Sequence, residues 1–140
     1  MQTLQPPGWA RPKGYANGIA ARGTLVFVAG QVGWNAEQRF EADDLVAQAA
    51  QALRNVVAVL AQAGAAPAHI VRMTWYVVDK AEYLASLAAL GRAYRDVIGR
   101  HYPAMTAIEV KGLVEEGARV EIEATAVIPD AIGRPVAAGR

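Results

Sequence analysis

Residues 120–127, VEIEATAV, alternate strictly between two kinds of side chain. Val120, Ile122, Ala124 and Ala126 fall on one side of an extended chain. Arg119, Glu121, Glu123, Thr125 and Val127 fall on the other. A period of two predicts a strand with one face in a core. The second face is too apolar for bare solvent and too acidic for a dry interior. Such a strand must sit in a layered fold, with helices against its apolar side and something tolerant of charge against the other.

The covering helices can be found in the same chain. Asp43-Asp44 can cap a helix, and Leu45, Ala49, Leu53, Val56, Val57 and Leu60 follow at helical spacing. Gly64 suits the position after its end, and Pro67 prevents a restart. A second helix begins at Asp79, whose spacing to Glu82 is that of a capping box. Its expected buried stripe is Leu84, Leu87, Ala88, Gly91 and Tyr94, and Gly99 stops it.

The remaining apolar stretches alternate. A hairpin is expected from a strand near Ala16–Ala21, a turn at Arg22-Gly23, and a strand over Thr24–Gln31. In HIVRMTWYVVD, Val71, Met73, Trp75 and Val77 share one face, and Arg72, Thr74 and Tyr76 the other. Further strands are expected near Met105–Val110 and Ala118–Val127. Along the former, Met105, Ala107 and Glu109 lie on one side. They are expected to join Arg72, Thr74, Tyr76, Glu121 and Glu123 on the open face. The order β-β-α-β-α-β-β predicts an α+β sandwich with two helices on one face of a mixed sheet. At 140 residues a single domain over 1–140 is expected, with an extended arm over 1–13 and a mobile tail over 129–140. Trp9 should anchor the arm against the body.

Composition narrows the function. Net charge is +1 with no basic stripe, so nucleic acid is an unlikely partner. No apolar run is long enough to span a membrane, and no apolar leader precedes the first strand. The absence of cysteine removes disulfides and thiolate chemistry, and fits a cytoplasmic protein. Two distant histidines, His69 and His101, make no metal cluster. His101 is most simply a helix-end or surface residue. The mixed second face of the sheet points to assembly, with polar residues at seams where small ligands bind.

The pieces KGYANGI, LVFVAGQVGW, QAAQALRNVVAVLAQAGA, IVRMTWYVVD, YPAMTAIEV and VEIEATAV, in this order, resemble the Rid family of reactive intermediate deaminases, RidA/YjgF-like or endoribonuclease L-PSP-like proteins. The likeness runs over roughly residues 13–128. It implies a chorismate-mutase-like α+β fold. It also implies a homotrimer whose sheets form a central barrel, with small-molecule clefts between subunits and no cofactor or metal. Active members hydrolyse imines and enamines, such as 2-aminoacrylate, to a keto acid and ammonia.

Carried over position by position, the resemblance implies Tyr15, Gly30, Gln31, Met105 and Ala107 as substrate-binding residues and Glu121 as the catalytic carboxylate. Two positions depart from the family pattern. Ala29 stands where a serine is usual, and Met105 stands where active deaminases carry an arginine. A guanidinium there would clamp a substrate carboxylate through two parallel charge-assisted hydrogen bonds. Met105 points instead to a subgroup without this arginine. The expected substrate is then bulkier, or less dependent on its carboxylate, than the smallest imino acids. Arg11 or Lys13 in the arm is a candidate substitute for the lost charge. The alternative is a trimer of the same build that binds a metabolite or protein without catalysis. Bland roles are also open to these residues: Glu121 pairing with Arg119, Arg72 or Lys111, Gln31 pinning the hairpin, and Trp34 lining a pocket or a subunit contact.

Overall fold

The computed structural model describes residues 1–131. The tail expected to be mobile therefore falls, from Ile132 onward, outside the described residues. Strand β1 spans Gln2–Leu4, β2 Gly18–Ala20 and β3 Thr24–Val32. Helix α1 spans Leu45–Gln62, and a 3-10 turn at Pro67–His69 leads into β4, Ile70–Val77. Helices α2, Lys80–Ala85, and α3, Leu87–Val97, precede β5, Ala104–Glu109, and β6, Val120–Ile128. Four strands form one mixed sheet in the order β3-β6-β4-β5. β4 and β5 are parallel, and the other two pairings are antiparallel. The α+β sandwich expected from the sequence is the observed architecture.

β6 lies inside the sheet, and its alternation is realised. Val120, Ile122, Ala124 and Ala126 are buried, while Glu121, Glu123 and Thr125 are half-buried on the other side. α1 lies across β3 and β6 and packs beside α3. Asp44 caps it, its Oδ2 accepting from Ala47 N at 3.0 Å. Leu45, Ala49, Leu53, Val56 and Leu60 are its buried stripe. Leu53 and Leu60 are fully buried, each contributing about 2 kcal/mol of apolar transfer. Gly33 permits the close seat of α1 on the end of β3, because a Cβ there would lie 2.4 Å from the Gln48 carbonyl oxygen.

Four expectations need correction. β2 pairs antiparallel with β1, not with β3. The arm thus supplies a strand of its own, and β3 finds its partner in β6. Trp9 does not anchor the arm, being 62% exposed. That role falls to Gln5, whose Nε2 donates to the Trp9 and Ala10 carbonyls and whose Oε1 accepts from Asn17. The second helix is broken at Ser86, leaving Leu84, Leu87 and Ala88 exposed. Finally, an irregularity between Ile70 and Arg72 puts Ile70 into the core in place of Val71. An extra residue in one strand shifts every side chain before it to the other face.

Candidate functional site

The carried-over residues fall into two groups, set apart by the sheet. The first gathers around β3 and β6. Glu121 projects from β6 on the open face, where its strand partners are Tyr76 and Val32. Its side chain lies across the backbone of Gly30, so closely that a Cβ at position 30 would lie 2.8 Å from the Glu121 Cδ. Gly30 sits in the irregular stretch of β3 between Val28 and Gln31. Gln31 donates from Nε2 to the Ala29 carbonyl at 3.0 Å, pinning this bend. The end of β3 is held by Asn55 of α1, whose Nδ2 donates to the carbonyls of Val32 and Trp34 at 3.0 and 2.8 Å. Trp34 itself packs against Phe40.

Among the described residues, no hydrogen bond or ion pair engages the Glu121 carboxyl group. The expected partner Arg119 is taken elsewhere: its Nη1 meets Glu82 Oε2 at 3.0 Å, and its Nε donates to the Asp43 carbonyl. Glu123, two residues on, accepts from the Tyr76 hydroxyl at 2.7 Å. That bond raises the Tyr76 pKa above the usual phenol value, with desolvation and the Glu123 and Glu121 charges adding to it. Arg72, Thr74, Glu123, Thr125 and Phe27 line a cavity of about 460 Å³ on the same face.

The second group gathers at β5. β4 and β5 run parallel with Met105 beside Met73 and Ala107 beside Trp75. Neighbours in register point to the same side of a sheet, and Met73 and Trp75 are buried in the core. Met105 and Ala107 therefore face the helices. The expectation that they share the open face with Glu121 is wrong. Alternation within β5 was legible, but which face of its neighbour it matches depends on register, which one strand does not encode. Thr106 and Ile108, not Met105, stand on the open face beside Thr74 and Tyr76. Tyr15 is exposed next to Ala16, which bridges to Ala104 and donates from its N to the Pro103 carbonyl at 2.9 Å. Tyr15, Met105 and Ala107 thus share one edge of the sheet.

Both histidines serve the backbone. His69 Nδ1 accepts from Ala66 N at 2.9 Å. His101 Nε2 lies 2.6 Å from the Ile70 carbonyl oxygen; a carbonyl can only accept, so this nitrogen carries the proton. Half-buried His101 is thus tied to the protein interior rather than standing as a free surface cation. Among the described residues no three His, Asp or Glu side chains gather into a metal-binding group, and no helix is long and apolar enough to cross a membrane.

Gln48 escaped the sequence reading. It is buried, donates from Nε2 to the carbonyls of Ala42 and Gly117 at 3.0 and 2.9 Å, and accepts from Arg119 N at 2.8 Å. It joins α1 to the loops that lead into α1 and β6. A glutamine on an otherwise apolar helical stripe is the signal that could have found it.

Helices thus cover one face of the mixed sheet, and on the other the Glu121 carboxyl group lies across Gly30. The chain belongs to the family described as Endoribonuclease L-PSP, whose pattern matches residues 9–128. It is 33% identical to the 2-iminobutanoate/2-iminopropanoate deaminase of Salmonella typhimurium over 116 residues, covering 81% of this chain and 86% of that one. The fold matches a Rid-family protein, YyfB, from Yersinia pestis with a TM-score of 0.80 at 34% identity, covering 91% and 98% of the two chains. TdcF of Escherichia coli, solved with bound serine, matches with a TM-score of 0.65 at 28% identity, covering 91% and 99%.

Proposed function

We propose that this protein is a deaminase of imines or enamines, acting without a cofactor in clefts between the subunits of a homotrimer. The observation that carries the reading is Glu121. Its carboxyl group lies half-buried across Gly30 with no protein partner among the described residues, which leaves it available to a bound water. It is suited to orient water. An enamine tautomerises to the imine, and water adds to the imine carbon. Glu121 takes a proton from that water and returns one to nitrogen, and the tetrahedral adduct collapses to a carbonyl and ammonia.

The two groups of site residues support the assembly. They stand two to three strands apart, on the order of 10–14 Å, and on opposite faces. One chain cannot bring Glu121 to Met105, but a ring can, if the β5 edge of one copy meets the β3–β6 side of the next. The open face suits burial against other copies. Phe27 is 73% exposed there, near Leu25 on the same strand, Ile108 is exposed at the opposite edge, and the charged groups Arg72, Glu121 and Glu123 could line the seams.

Met105 sets the substrate apart. Without a guanidinium at that position, ordinary activity on 2-aminoacrylate should fall by a few orders of magnitude. Ammonia release from freshly generated 2-aminoacrylate tests this, and a rate equal to that of arginine-bearing relatives overturns it. Loss of turnover in Glu121→Gln, with the fold intact, supports the assigned role. The second reading is a trimer that binds without turning over; Ala29 and Met105, which remove a hydroxyl and a cation, favour it. Binding without turnover in both wild type and Glu121→Gln would decide for it. RNA cleavage is disfavoured, since both histidines are engaged by backbone groups.

A further inference from the structure

The helix side of the sheet carries a cavity of about 450 Å³ that the reading above touches only at Met105. The sheet contributes Trp75 and Met105, and the two short helices contribute Tyr83, Leu90 and Tyr94. Trp75 is 5% exposed, and its Nε1–H is buried with no acceptor among the described residues. A buried indole N–H ordinarily has a partner. The nearby Tyr94 hydroxyl does not serve it, being committed to the His101 carbonyl at 2.6 Å. Tyr94 stacks on Tyr102 with ring centres 5.7 Å apart and planes 15° apart, giving the cavity a fixed aromatic wall. Its exposed lining residues include Lys13 and Arg95, and no carboxylate lines it. Neither cation is in an ion pair among the described residues.

We propose that this cavity binds an aromatic 2-oxo or 2-imino acid whose ring carries a hydrogen-bond acceptor. The ring lies beside Met105 and against the tyrosine wall, and its acceptor takes the Trp75 N–H. The carboxylate meets Lys13 and Arg95 at the mouth, where they stand in for the absent guanidinium. The inference rests on the deaminase reading for the reacting group, and names the substrate class. Met105 then has a positive role: its flexible, uncharged thioether packs against the aromatic ring.

Calorimetric titration of the full chain with three stable acids tests the proposal: 3-(4-hydroxyphenyl)-2-oxopropanoate, 3-phenyl-2-oxopropanoate and pyruvate. Both aromatic acids should bind at least about tenfold more tightly than pyruvate, and the ring hydroxyl should add about fivefold. Trp75→Phe should erase the hydroxyl's gain, bringing the two aromatic acids to equal affinity. If Trp75→Phe fails to fold, Gly91→Leu decides. Gly91 lines the cavity, and a Cβ there meets only the flexible tip of Arg95, at 3.3 Å. This variant should weaken both aromatic acids more than tenfold, in the same sense as filling the cavity. Equal affinity for pyruvate and the aromatic acids overturns the proposal, as does aromatic binding indifferent to Gly91→Leu. The expected selectivity without ammonia release from the matching imines upholds the cavity and overturns the deaminase reading. Turnover of imines with no preference for aromatic ones upholds that reading and overturns the cavity.

Discussion

At the scale of single residues, contacts that no period reveals decide the outcome. Gln48 satisfies three backbone groups from one buried amide. Gln48→Leu keeps the helix pattern but strands those groups, and should cost about 2–3 kcal/mol in chemical denaturation. Gly30 was legible through the resemblance as a candidate binding residue, but what lies against it was not. The occupant is the protein's own Glu121, brought there by pairing between strands far apart in the chain. Gly30→Ala must push that carboxyl group aside, so turnover should fall at least about tenfold while thermal stability changes little. Tyr94 adds a dependence on pH. Burial, helped by Tyr102, holds its pKa well above the ordinary 10.0. The folded state therefore keeps the proton after the unfolded chain has released it. This contribution to stability is complete below about pH 10 and fades as pH rises through the folded value. The melting temperature should fall as pH rises above about 10, and the slope should be shallower in Tyr94→Phe.

At the scale of elements, the sequence disclosed types and alternation better than partnerships. α1 and β6 were evident because their periods are clean and their caps conventional. The β2–β3 hairpin failed because a short strand with one apolar side accepts any edge, and β2 pairs with β1 instead. The break at Ser86 was hidden because α2 and α3 share one continuous helical composition. Asp79 caps α2 as its spacing to Glu82 foretold, through the Glu82 N–H at 3.1 Å. Yet the Glu82 side chain goes to Arg119, and Glu109 from β5 accepts from Lys80 N at 2.6 Å. Gly91 lies within α3 with room for a methyl group, apart from the movable Arg95 tip. Gly91→Ala should therefore stabilise the fold by about 0.5–1 kcal/mol, measured by denaturant midpoint.

At the scale of the whole molecule, candidate site residues could be named in the sequence but not placed relative to one another from it. Every carried-over residue was identifiable, yet their division between two faces follows from register alone. Whether they meet depends on other copies. Phe27→Asp places a charge on the face proposed to be buried in the ring, and sedimentation velocity should then show a monomer. In a protein that is monomeric anyway, so exposed a substitution would change almost nothing. The position of β6 has a consequence in time as well as space. It is the last described strand to be synthesised, yet it lies between β3 and β4. β3 has no partner in the main sheet until it appears, so only the helices, β1–β2 and the parallel β4–β5 pair can form beforehand. Every antiparallel ladder of the main sheet must then close at once around the newest segment. Folding should be slow for the chain's size, dominated by distant pairings, and a nascent chain arrested before Val120 should remain open to proteases.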